Sequence, residues 1–236
     1  MKCAVIVAAY RTPEPWLREC IESIRGQEPL DGWEYELRIG VDGCEDTAAT
    51  LDRMDEPYHC APENVGPYLI RNSLVTSSTA DAYAIFDADD RMHAAYLRTL
   101  IPQATPDGIA GSARRSIDAG GEVTRVRHGY VNGVCVLSHA AWDKLGGYRP
   151  WRIAADHDLI SRAKAMGVPV RKHGEPLYDR RHHPESLTAR SATHLRSKAR
   201  KDRKRESRRA ITEALIKRES LRVEPECAVF AEQAVR

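Results

Sequence analysis

The stretch KCAVIVAAY, residues 2–10, is an uninterrupted apolar run rich in β-branched side chains. A strand with one wet face alternates apolar and polar residues, so an unbroken run is a strand buried on both faces. The segments that follow supply the cover. EPWLRECIESIRGQ carries Trp16, Leu17, Cys20, Ile21 and Ile24 at helical spacing, with Pro15 suited to a first turn. YELRIGVDG reads as a second strand ending in Asp42, and EDTAATLDRM as a helix with acids near its start. YHCAPENVG reads as a short strand and loop, PYLIRNSLVTSS as a third helix, and DAYAIFDADD as another strand. This alternation predicts an α/β fold with a parallel, doubly wound sheet over the first ~100 residues. Short strands, a Gly-Gly turn and one helix follow. DHDLISRAKAMG then reads as a helix with Asp156 at its mouth, and VPVRKHGEPLYDRRHH as a last strand.

Charge is unevenly spread. The net charge is +2, yet Arg190–Arg209 holds ten Lys/Arg against two Asp/Glu. An acidic body therefore carries a basic arm. From Ser191 to Arg222 the chain has no Gly or Pro, and a continuous helix there would be about 48 Å long. Within it, RKDRKRESRR has no apolar face, which marks a helix that is solvated or meets something charged. The reading is one domain over residues 1–189 with a basic helical extension over 190–236. None of the six cysteines has C-x-x-C spacing, so they read as reduced thiols of a cytoplasmic protein, without a zinc or redox site. No apolar stretch approaches the ~20 residues of a membrane span.

Three carboxylates, Asp87, Asp89 and Asp90, crowd the end of the strand YAIFD, and Asp42 ends another. In open α/β sheets ligands collect at the carboxyl ends of strands. Carboxylates there suit a hard divalent cation, Mg²⁺ or Mn²⁺, shared with phosphates, and the cation would offset their repulsion. An Asp-rich turn that caps the next helix explains the same residues without a ligand.

Six stretches in order, over residues 3–188, resemble the inverting, metal-dependent GT-A glycosyltransferases of family 2. They are VIVAAYRTPEPWLRECIESIRGQ, VDGCEDTAATL, NVGPYLIRNSL, FDADD, GGYRPWRIAADHDLISRAKAMG and RRHHPESLT. The chain departs from the family at Ala8-Ala9-Tyr10-Arg11, where Pro-x-Tyr-Asn is usual, and at Val41-Asp42, where two Asp are usual. Cys44 stands for a Ser, and Ala155 for an acid. The resemblance implies a mixed, Rossmann-like GT-A sheet and a nucleotide-sugar donor, with a UDP-sugar favoured. It implies that Asp89 holds the Mn²⁺ or Mg²⁺, with Asp87 near the ribose or metal and His183 at the metal or diphosphate, the adjacent His182 being the alternative. Asp42 would accept a hydrogen bond from the nucleobase, Arg71 would lie near base and phosphates, and Ala8 and Tyr10 would frame the base.

Asp156 matches the family's general base. Helix capping is its plainer explanation, with Asp158 the runner-up expected on the helix surface. Trp142, Tyr148 and Trp151 fall where the family builds its acceptor pocket, although core packing explains Trp142 as well. Asp90 would cap the following helix, and Arg180 and Arg181 would approach phosphates or be solvated. The acceptor is left open. Arg200, Lys201, Arg203, Lys204 and Arg205 of the arm would suit phosphates of nucleic acid. Some relatives glycosylate hydroxymethylated DNA bases, so such a base, for example 5-hydroxymethylcytosine, is the favoured acceptor. The alternatives are an envelope glycan or lipid-linked saccharide, and, in another class, a non-catalytic nucleic-acid-binding protein on a decayed transferase fold.

Overall fold

In the computed structural model the apolar run becomes β1 (Lys2–Ala9), and its two faces serve two different cores. Cys3, Val5, Val7 and Ala9 pack on α1 (Glu14–Arg25) through Leu17, Cys20, Ile21 and Ile24. Ala4 and Ile6 pack on the other side against Ile70 and Leu74 of α3 (Pro67–Thr76). Successive strand residues point to opposite faces, so burial on both requires an unbroken apolar sequence. Described residues are 1–128, 131, 133–184, 186, 189, 192–194 and 196–231.

β1 lies between β2 (Glu34–Asp42) and β4 (Ala82–Asp87), parallel to both, and β3 (His59–Ala61) extends this half beyond β2. α2 (Glu45–Arg53) links β2 to β3 in sequence. The second half changes direction. β8 (Cys135–Ser138) runs antiparallel to β4 and to β6 (Ile109–Ile117), and β9 (Val170–Arg181) runs parallel to β6. The short β5 (Arg91–Met92) closes that edge on β9, while β7 (Val123–Arg127) hangs on β6 as a hairpin. α4 (Tyr96–Ala104), α5 (His139–Leu145) and α6 (Ala155–Ala165) complete the body. The parallel half was readable as an α/β alternation, and the whole is a mixed sheet of order β3-β2-β1-β4-β8-β6-β9-β5.

Register sets the site. Ala8 pairs with Gly40 on one side and Asp87 on the other, so β1, β2 and β4 end together. The turn after Asp42 needs Gly43: φ is +59°, and a Cβ there would sit 2.0 Å from the Glu63 carbonyl carbon.

The basic arm is shorter than its composition suggested. α7 runs Lys198–Lys217, capped by Ser197, whose Oγ accepts from Arg200 N. Its 20 residues span about 30 Å. It packs against α6 and buries Arg200, Ser207 and Ala214, a seven-residue spacing that is one face of a helix. The tail then returns along the body. Val223 N donates to Leu145 O, Asn72 Nδ2 to Glu226 O, and Ser73 Oγ to Ala228 O. Residues 232–236 of the expected tail, and Glu185, Leu187 and Thr188 of the late His segment, lie outside the described residues. All six cysteines are unpaired. Among the described residues no helix is long and apolar enough to cross a membrane.

Candidate active site

At the end of β4 the three aspartates are sorted to three tasks. Asp87 Oδ1 accepts a very short bond from Arg71 Nη2 of α3. Burial disfavours the Arg71 charge, but Asp87 outweighs it and holds the guanidinium above its ordinary pKa. Asp89 turns the other way, and its Oδ2 lies 2.9 Å from His183 Nε2. His183 follows β9 and packs on Trp16 of α1, with ring centroids 4.8 Å apart. His182 points elsewhere, 3.3 Å from Ser116 Oγ, so of the two neighbours it is His183 that stands beside Asp89.

Asp90 does not cap the next helix. It is 1 % exposed; Oδ1 accepts from Arg181 N, and among the described residues Oδ2 has no hydrogen-bond partner. α4 begins only at Tyr96, too far along the chain for Asp90 to reach its first turn. Burial, then the charges of Asp89 and Asp87, push its carboxyl pKa well up. Arg181 is not solvated either. Its guanidinium spans Glu19 of α1, the Asp89 carbonyl and the carbonyls of Asp118 and Ala119, fixing the aspartate turn between α1 and the β6–β7 hairpin.

Asp42 has another occupation. Only 2 % exposed, it takes Val65 N at 2.7 Å and Gly66 N at 3.0 Å on Oδ1, and Asn64 Nδ2 at 2.9 Å on Oδ2. An ionised carboxylate offers about four acceptor sites, and here they hold the loop that leads into α3. A nucleobase N–H would have to share the carboxylate with these three donors. Burial raises the Asp42 pKa, opposed by the Val65 and Gly66 N–H groups. Tyr10 is exposed at the lip, with the Arg11 guanidinium over its ring at 5.3 Å, while Ala8 is half-buried.

α6 starts from Ala154, a non-glycine residue at φ +63°. Such backbone costs energy and is often found at functional sites. Asp156 follows in the first turn, and its Oδ1 accepts from Tyr68 OH of α3 at 2.9 Å. Asp158, expected on the helix surface, is fully buried. It pairs with Arg162 Nε at 2.7 Å and with Arg149 Nε at 3.2 Å. The remaining Arg162 nitrogens reach Leu145 O and Gly147 O, so this pair fastens α5 and the Gly-Gly turn to α6.

The aromatic residues divide similarly. Trp142 and Tyr148 are core, edge to face at 5.7 Å. Trp151 is not an open platform. At 8 % exposure it lies between Arg149 at 5.6 Å and Arg203 of α7 at 5.1 Å. Arg200, read as a nucleic-acid contact, is buried and donates to Thr193 O; cap geometry at Ser197 turns it inward. Lys201 and Arg205 are exposed and Lys204 is half-exposed; Arg205 faces Asp202, and Arg203 also pairs with Glu206. Burial, then the charges of Lys204 and Arg208, lower the pKa of His157, next to Asp156. The arm thus lies along the Asp156 side of the molecule.

Tyr68 was not legible as a functional residue. Its spacing from Arg71 puts both on one helical face, but only the fold shows Asp156 opposite. Arg71 lies over the Tyr68 ring at 5.6 Å, so Asp87, Arg71, Tyr68 and Asp156 form one chain of contacts.

Among the described residues no three His, Cys, Asp or Glu side chains form a closed metal cage. Asp89 and His183 offer two donors, with the buried, unpartnered Asp90 Oδ2 close behind in sequence. Two protein donors fit a hard cation that takes its remaining oxygens from substrate phosphates and water.

The family model described as Glycosyl transferase family 2 matches residues 4–186. No curated protein matches the chain. Among solved structures, S. aureus TarS 1–349 in complex with UDP-GlcNAc aligns with a TM-score of 0.65 at 15% identity, over 79% of this chain and 60% of that one. A further structure of S. aureus TarS gives 0.66 at 16%, over 92% of this chain and 40% of that one. The mannosyltransferase PcManGT of Pyrobaculum calidifontis, in complex with GDP-Man and Mn²⁺, gives 0.64 at 14%, over 81% and 61%. The chain therefore spans about 60% of the first of these relatives. At such identities the likeness is one of fold, and that fold is the GT-A one.

Proposed function

Because the chain belongs to glycosyl transferase family 2, we propose that it moves a sugar from a nucleotide-sugar donor to an acceptor hydroxyl by a single inverting displacement. The observation that carries this reading is the contact chain Asp87–Arg71–Tyr68–Asp156, which joins the end of β4 to the mouth of α6. Arg71, held by Asp87, presents a cation at the donor end, where a diphosphate needs one. Asp156 takes the proton of the acceptor hydroxyl as general base. The acceptor oxygen bonds to the anomeric carbon, the bond from that carbon to the phosphate oxygen breaks, and its electron pair leaves on the nucleoside diphosphate. Asp89 and His183 would hold a Mn²⁺ or Mg²⁺ ion, which when bound supplies positive charge against the departing diphosphate. A UDP-sugar is the favoured donor, supported by the fold shared with a relative crystallised with UDP-GlcNAc.

For the acceptor we favour a hydroxymethylated DNA base such as 5-hydroxymethylcytosine. Support comes from α7, which brings Arg203, Lys204 and Arg208 to the Trp151–His157 side of Asp156. Phosphate contacts of this kind position a strand, and the base hydroxyl would be brought out of the stack to reach Asp156. A saccharide acceptor is the second reading. It is favoured by the ion pairs inside α7, Arg203–Glu206, Arg205–Asp202 and Arg209–Glu213, which consume part of the arm's charge. Labelled UDP-sugars are incubated with Mn²⁺ and hydroxymethylcytosine duplex, unmodified duplex or saccharides. Label on the modified duplex alone supports the first reading, and transfer only to saccharide removes it. Donor turnover unaffected by both Asp89→Ala and Asp156→Ala would sink the catalytic site itself.

A further inference from the structure

The family motifs supply a base at Asp156 but not what aims it. Resting on the proposed role of Asp156, we propose that Tyr68 is the positioning residue of this base, and that Gly133 keeps the base's second oxygen open to the acceptor hydroxyl.

Asp156 sits in the first turn of α6, and among the described residues no hydrogen bond ties its carboxylate to its own helix. Among the described residues Tyr68 OH is its hydrogen-bond donor, at 2.9 Å on Oδ1. Tyr68 is itself well held: buried, against the Tyr148 ring at 5.1 Å, and under the Arg71 guanidinium. Burial, then the nearby Asp156 charge, push the phenol's pKa well up, so Tyr68 stays protonated and donates to the ionised carboxylate. With Oδ1 committed, Gly133 lies along the Oδ2 side of the Asp156 carboxylate. A Cβ built there would lie 3.3 Å from Oδ2, closer than ordinary van der Waals contact. A base needs one oxygen free in a fixed direction, with a third group orienting it. Tyr68 supplies the orientation and Gly133 the clearance.

Other titratable groups face Asp156, but none shares this role. Arg71 of α3 and Arg200 of α7 act on Tyr68 itself. Cys135 of β8, pushed up to about 12 by burial, and the buried Tyr148 both stay neutral. On α6, Asp158 is spent on Arg162 and Arg149, while His157 feels Lys204 and Arg208. Asp87 is held by Arg71.

The test is Tyr68→Phe, which removes one oxygen and leaves the ring, with kcat and donor KM measured across pH. A hydrogen bond to a charged group corresponds to about 10-fold or more. The expected result is a kcat lowered about 10-fold, a low-pH limb of the profile moved to higher pH, and a donor KM near wild type. The limb moves because the ionised carboxylate has lost a donor. A superimposable pH profile, whatever kcat or thermal stability does, overturns the proposal. If Tyr68→Phe fails to fold, Gly133→Ala decides. It should lower kcat/KM for acceptor several-fold while nucleotide binding, read by calorimetry, is kept; unchanged acceptor kinetics would overturn the inference. Asp156→Asn is run alongside. Transfer surviving in that variant sinks the base assignment, whereas an inactive Asp156→Asn with an unmoved Tyr68→Phe profile sinks only the role of Tyr68.

Discussion

At the end of β4 three aspartates fall within four positions, and at the mouth of α6 two fall within three. The fold treats the two clusters alike in one respect: each buries one carboxylate, Asp90 or Asp158, and leaves another, Asp89 or Asp156, toward the site. They differ in how the buried one is satisfied. Each oxygen of Asp158 has an arginine, Arg162 of its own helix and Arg149 of the loop before it, whereas among the described residues Asp90 keeps one oxygen without a hydrogen-bond partner. A buried carboxylate with a full set of donors is a fastening. Asp90 instead sits, with one oxygen lacking a hydrogen bond among the described residues, between the like charges of Asp89 and Asp87 and the opposite charge of Arg180.

The comparison is broken most directly at α6. Asp156→Asn is expected to lower transfer by roughly 10²–10⁴ with the fold kept, because a general base is lost while the amide oxygen can still accept from Tyr68 OH. Kinetics paired with denaturant unfolding check this, and a large loss of stability would place Asp156 with Asp158. Asp158→Asn should do the reverse. Stranding the fully buried Arg162 costs about 3–5 kcal/mol by chemical denaturation, while the folded fraction remains active.

At β4, Asp89→Ala should weaken Mn²⁺ binding in the presence of UDP by about 10-fold or more, read by calorimetry. Equal affinity in variant and wild type would remove Asp89 from the metal site. The smallest effect concerns Asp179 on β9, which the structure saturates as fully as Asp158. Burial alone would raise its carboxyl pKa, but His93 and Arg115 outweigh it and hold it far below the ordinary range. A depressed folded-state pKa stabilises above the unfolded value of about 4 and is lost as pH falls below it toward the folded one. Wild type should therefore lose stability on acidification from about pH 5 down. Asp179→Asn should be weaker at neutral pH and lose less over the same range; parallel curves would contradict the assignment.

Much of this was legible. The apolar run of β1, the helical spacing in α1 and the acids at strand ends follow from periodicity and repulsion, which are local. What failed were statements about direction. Asp158 was expected at the surface because an acid near a helix start belongs there, yet Arg149 and Arg162 gave it a buried partner. Arg200 read as a ligand contact because α7 looked all-polar, and Trp151 because it falls where the family builds its acceptor pocket, whereas the packed helix hides the first and covers the second.

Sequence by itself determined the alternating elements, the family and the set of carboxylates at the strand ends, because burial period and charge clustering are written along the chain. Tertiary structure alone decided which aspartate is free and which is fastened. That choice depends on donors such as Tyr68, Arg181 and Arg162, which the fold brings from other elements or turns inward, and no local pattern records where such a side chain will point.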